Sequence, residues 1–181
     1  MELEKQGRLR RLHGGAVIAN AVGPEELRSR RIRNAQAKEA IATHVSEIVE
    51  DGASIFLDTG TTCEAIARAL VARRDLRVVS YSLRIAAYLR ETTDFTIAIP
   101  GGFVRQVDGG VFQGQVDSFI SGFKFDLGIL SVTGLDDDGD LGDDDVAEVG
   151  TVLSAIRQSR KVLLAVDGSK FGRRGLVKLG S

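Results

Sequence analysis

Five short apolar runs constrain this chain more than any other feature. They lie at 53–58, 76–80, 95–99, 126–133 and 161–166, and most of the intervals between them show helical periodicity. Runs such as Arg77-Val-Val79 and Lys161-Val-Leu-Leu-Ala-Val166 are continuously apolar rather than alternating, as strands covered on both faces are. Between them, Cys63, Ile66, Leu70 and Val71 recur at helical spacing over 62–73, and a further helix is predicted over 82–91. Val146, Val149, Leu153 and Ile156 mark another helix over 144–158. A Gly-rich stretch and a short helix near 114–121 separate the third run from the fourth. The first helix is predicted from Pro24-Glu25-Glu26 towards Glu50, with a break near Asn34 and Ala37, Ile41, Val45 and Ile48 on one face. Asp51-Gly52 stops it. Repeated βα units of this kind predict an α/β fold: an open, mostly parallel sheet with helices on both faces.

Composition removes several function classes. A chain of 181 residues suffices for one domain with a sizeable core. No apolar run reaches membrane-spanning length and the charged N-terminus is not a signal peptide, so a cytoplasmic protein with no membrane contact is expected. One cysteine, Cys63, excludes an intrachain disulfide, and with only His13 and His44 a Cys/His zinc site is not expected. The run Asp136-Asp-Asp-Gly-Asp-Leu-Gly-Asp-Asp-Asp145 lacks the glycine that a calcium loop needs at its sixth position. It reads as solvated loop, and no metal or cofactor is expected. Basic ends around this acidic run could touch nucleic acid, but solvated surface explains them better.

In open α/β sheets, ligands bind beyond the carboxyl ends of the strands. Asp58, Thr59, Gly60, Thr61 and Thr62 follow the first strand, Ser80-Tyr81-Ser82 the second and Gly101-Gly102 the third. Gly134 and the acidic run follow the fourth, and Asp167-Gly-Ser-Lys170 the fifth. A plain capped turn accounts for 58–62 alone equally well. Together the five ends offer backbone donors at a helix start, hydroxyls and a lysine for an anion, and carboxylates for hydroxyl groups. That equipment suits a small phosphorylated polyol.

The ordered motifs resemble a known family. Leu3 to Val17, reading "LEKQGRLRRLHGGAV", then "NAQAKEAIA" from Asn34, "FLDTGTT", "IPGG", "GLDDDG" and "DGSKFG" are similar to the sensor part of DeoR-type bacterial transcriptional regulators. The resemblance implies a fold similar to ribose-5-phosphate isomerase and a repressor of sugar or nucleoside catabolism whose effector is a phosphorylated sugar. It assigns Thr59–Thr62 to the phosphate and turns Asp58 and Lys170 towards the ligand, with Gly101, Gly102, Arg105 and Asp126 as further effector contacts. It implies a remnant of a DNA-binding domain and linker at 1–23 and an effector-sensing domain at 24–181, short of the family's last strands. DNA contact is then expected only through a helix-turn-helix missing from this chain, and a homo-oligomer is expected. Ser80-Tyr81-Ser82 departs from the family's usual Thr-Asn-Ser. The rival reading is a sugar-phosphate isomerase, which carries Asp-Glu soon after its Gly-Gly. Phe103-Val-Arg-Gln106 stands there instead, so catalysis is not expected. A third reading, an oligomerisation module with a vestigial pocket, stays open at this level.

Overall fold

The structure, a computed structural model, describes residues 9–12, 15–18, 24–112 and 116–181. Leu9–Leu12 (β1) and Gly15–Ile18 (β2) pair antiparallel within the segment expected to be a linker. The predicted first helix is two helices, Pro24–Ile32 (α1) and Ala35–Ile48 (α2). The break falls at Asn34, which takes the left-handed conformation at φ 57° and ψ 32° that asparagine tolerates better than most residues.

The main sheet holds five parallel strands in the order β11-β8-β3-β4-β5. These are Ser54–Leu57 (β3), Arg77–Val79 (β4), Thr96–Ala98 (β5), Phe125–Leu130 (β8) and Ser159–Leu164 (β11). Each matches one of the apolar runs. Helices Thr61–Leu70 (α3) and Leu83–Thr92 (α4) join α2 on one face of the sheet. Val116–Ser121 (α5) and Val146–Gln158 (α6) cover the other. Alternation along β3 divides the core: Ile55 and Leu57 pack with Val45, Ile66, Leu70 and Leu89, whereas Phe56 packs with Tyr81, Ile120, Phe125 and Val152.

The looser stretches hold strands too short to leave a periodic trace. Phe103–Val104 (β6) and Val111–Phe112 (β7) form a hairpin. Gly134–Leu135 (β9), Leu141–Asp143 (β10) and Val177–Gly180 (β12) form a small antiparallel sheet beyond the fourth strand. Gly134 is required there, because a Cβ would lie 2.1 Å from the carbonyl oxygen of Arg173. The chain runs outward from β3 through β4 to β5, then returns to β8 on the other side of β3. Strand order therefore reverses between β3 and β8, which places a crevice at their carboxyl ends.

Candidate functional site

That crevice holds a cavity of about 260 Å³. Its floor is Asp58, the residue after β3. One carboxylate oxygen accepts from the Tyr81 hydroxyl at 2.6 Å and the Thr59 N–H at 2.8 Å. The other accepts from the Ser131 N–H, just past β8, at 3.0 Å. Asp58 thus ties together the ends of both strands at the reversal point. Burial pushes its pKa up to about 6 against these three donors. The Ser-Tyr-Ser departure finds its explanation here, since Tyr81 is fully buried and spans from the aromatic core to this carboxylate.

Above the floor, Thr59, Gly60, Thr61 and Thr62 turn into α3. Gly60 has φ 97° and ψ 169°, a region open essentially to glycine alone, and it aims the first turn of the helix at the cavity. The amides of a first helical turn have no intrahelical acceptors and carry the positive end of the helix dipole. The Thr59 hydroxyl is buried and has no hydrogen-bond partner among the described residues. Lys170, in the 3-10 turn after β11, is 8% exposed, and among the described residues its ammonium reaches only the Thr133 carbonyl, at 3.5 Å. Burial lowers its pKa to about 8, helped by the charges of Arg30 and Arg173. Those two arginines and Arg33 also line the cavity, and none has a carboxylate partner among the described residues.

The remaining wall is acidic. Arg105 donates to Asp108, Asp145 and Glu148, at 2.9 Å from Nε to Asp108 and 2.8 Å from Nη1 to Asp145, and lies 4.5 Å from the centre of the Phe112 ring. Asp143 and Asp144 line the same side. Burial, with Asp143 and Asp58 nearby, raises the Glu148 pKa to about 7 although Arg105 favours its charged form. The cavity therefore brings together cations without carboxylate partners among the described residues, helix amides, and carboxylates around an arginine they neutralise.

The residues expected from sequence separate into two groups. Asp58, Thr59, Gly60, Thr61, Thr62, Arg105 and Lys170 converge on the cavity. Arg105 does so with its donors taken by three carboxylates, so it shapes the acidic wall rather than offering an anion a free cation. Gly101 and Gly102 are exposed and do not line the cavity, because β5 is an edge strand two places from the reversal point. Asp126 also stands elsewhere. It lies near the amino end of β8, where it accepts from the Ser54 N–H and hydroxyl at the opposite edge of the sheet. Sequence reading missed Arg30, Arg33 and Lys38. The apolar face of α2 is displaced by one residue from the expected stripe and carries Lys38 with Ala42, Val45 and Ser46. A lysine in register with core positions was the available signal. Among the described residues no group of His, Cys, Asp or Glu is placed to hold a metal ion, and no helix is long and apolar enough to cross a membrane.

A crevice at a strand-order reversal, lined by a helix terminus and an acidic wall, marks an α/β domain built on an open parallel sheet. Residues 33–181 match the model of the DeoR C terminal sensor domain, and the chain belongs to the DeoR family. It is 41% identical over 180 residues to the glycerol-3-phosphate regulon repressor of Escherichia coli (strain K12), covering 99% of this chain and 71% of that protein. The HTH-type transcriptional repressor CsqR of the same organism is 34% identical over 180 residues, with 99% and 69% covered. Ribose 5-phosphate isomerase A from Methanocaldococcus jannaschii superposes with a TM-score of 0.56 at 14% identity, over 76% of this chain and 55% of that chain. The isomerase likeness is one of fold. The family places the chain among transcriptional regulators, not enzymes.

Proposed function

We propose that the cavity binds a small phosphorylated sugar or polyol, and that its occupancy controls DNA binding by the regulator to which this domain belongs. On this reading residues 24–181 are the sensing part, and residues 1–23 lead into it from the DNA-binding part. One observation carries the proposal: uncommitted donors from separate elements meet in one cavity. The α3 amides, the unpartnered Thr59 hydroxyl and the buried, barely coordinated Lys170 together suit a phosphate. The carboxylates opposite suit hydroxyl groups. A volume near 260 Å³ lies just below the usual range of about 300–1,000 Å³ for drug-sized ligands, which favours short polyol phosphates. The regulon named for the first relative puts glycerol 3-phosphate at the head of the panel.

Calorimetry and thermal melting with glycerol 3-phosphate, triose, pentose and hexose phosphates, inorganic phosphate and glycerol test this reading. A ligand at about 100 times its Kd should stabilise the domain by about 2.7 kcal/mol, roughly 5–10 °C in Tm. Lys170→Ala should weaken binding by about tenfold or more, at about 1.4 kcal/mol per decade. Glycerol should do nothing. A panel in which no phosphorylated compound moves the transition at millimolar concentration would remove the assignment.

A further inference from the structure

Helix α1 is lightly held. Of its residues from Glu26 to Ile32, only Leu27 is buried, and Ile32 is 77% exposed. Among the described residues three polar attachments fix it, and two of them lie at the cavity. Arg31 forks onto Glu64 of α3 at 2.7 and 2.8 Å, on the helix whose first turn faces the pocket. Buried Lys38 of α2 donates from Nζ to the Arg30 carbonyl and, at 2.9 Å, to the Arg33 carbonyl, closing the carboxyl end of α1. Asn34, left-handed between the helices, donates from Nδ2 to Asp167 at 2.9 Å. Asp167 caps the 3-10 turn that carries Lys170 through Ser169.

The same joint delivers charge. Arg30 and Arg33 line the cavity beside Lys170 and Arg173, so cations from α1, its junction with α2 and the segment after β11 face one space. Arg30 and Arg173 both disfavour the charged form of Lys170, while Asp167 and Asp143 favour it less strongly.

We propose that α1 is the element through which cavity occupancy is read: an anion between Lys170 and the first turn of α3 draws Arg30 and Arg33 inward, and the Asn34–Asp167 link fixes α1 in that docked position. This rests on the anion-binding reading above. An anion gains the contacts of Arg30 and Arg33 only in the docked arrangement, and that differential contact is what lets a ligand shift a conformational equilibrium. Asn34 is a positioning residue, acting through Asp167 rather than on the ligand.

Hydrogen exchange of the full chain, with and without sn-glycerol 3-phosphate or inorganic phosphate, tests this beside calorimetry of the same samples. Saturating ligand should slow exchange of α1 amides by about tenfold or more and leave α4, which does not line the cavity, unchanged. Asn34→Gly keeps the left-handed joint and every cation but removes the link to Asp167. Its affinity should fall as well, because an undocked α1 withholds Arg30 and Arg33 from the anion. Its α1 protection on binding should fall below about twofold. Arg30→Ala/Arg33→Ala, altered at an exposed and a half-exposed position, should bind more weakly and show no α1 protection even when saturated. Calorimetric binding without α1 protection in the parent, or full protection in either variant, overturns the coupling and leaves the binding site standing. No heat with either probe overturns both.

Discussion

Thr61 opens α3, and its side chain is buried against the cavity. Thr61→Asp puts a carboxylate where the phosphate is proposed to sit. For the free protein an acidic group in the first turn is neutral or mildly stabilising, so Tm should move by no more than about 3 °C. For the bound anion the repulsion, in a partly dry site, is on the order of a few kcal/mol. Calorimetry should therefore show affinity lost by about a hundredfold or more. Unchanged affinity would put the phosphate elsewhere, and an unfolded variant would make the turn ordinary packed structure. Single residues were unevenly legible in the sequence. Thr59–Thr62 could be found because a strand end and a helix start bracket them. Asp126 was misleading because its place along a strand, not its type, decides which edge of the sheet it occupies. The commitment of Arg105 to Asp108, Asp145 and Glu148 was invisible, since two of these carboxylates lie 40 and 43 residues away.

At the scale of elements, the turn between β3 and α3 depends on one glycine. Gly60→Ala meets no atom within 4 Å, so any cost is conformational and not steric crowding by neighbours. Holding alanine near φ 97° and ψ 169° costs on the order of 1–3 kcal/mol, or the turn relaxes and re-aims the α3 amides. We expect denaturant unfolding to show that loss, together with weaker phosphate-ester binding. A fully stable variant with parental affinity would mean that the turn does not need its present shape. The five parallel strands were readable because their apolar runs are set off by stretches of helical periodicity or by Gly-rich turns. The strands β6, β7, β9, β10 and β12 were not, as two to four residues carry no period. Their pairing is set by tertiary approaches such as Gly134 against Arg173. The break at Asn34 was legible, but its purpose was not, because Asp167 lies 133 residues away.

Across the whole molecule, the cavity leaves its mark on stability against pH. Asp58 and Glu148 have folded pKa values of about 6 and about 7, above their unfolded values near 4. Between those limits the folded state binds more protons, so stability falls as pH rises from about 4 to 7, by on the order of 2–3 kcal/mol for each group. Asp108 and Asp167 shift the other way: burial raises both, but hydrogen bonds from Arg105 and from Ser169 and Asn34 outweigh it, so their contribution is lost below about pH 4. Lys170, depressed to about 8, returns stability as pH rises beyond that value. Urea midpoints between pH 3 and 10 should therefore trace a maximum on the acidic side and a shallow minimum near neutrality. Glu148→Gln should flatten the descent between pH 5 and 7; a monotonic rise to neutral pH would contradict the burial of both carboxylates. One further consequence follows from the Tyr81–Asp58 hydrogen bond. The chain has no tryptophan and two tyrosines, and among the described residues only Tyr81 donates its hydroxyl to a carboxylate. Ultraviolet emission from this protein is therefore tyrosine emission, and a phenol held at 2.6 Å from a carboxylate oxygen is strongly quenched. Any event that shifts Asp58, at the junction of β3 and β8, will brighten or dim that single ring, giving the domain an optical gauge of its own ligand site without an added dye.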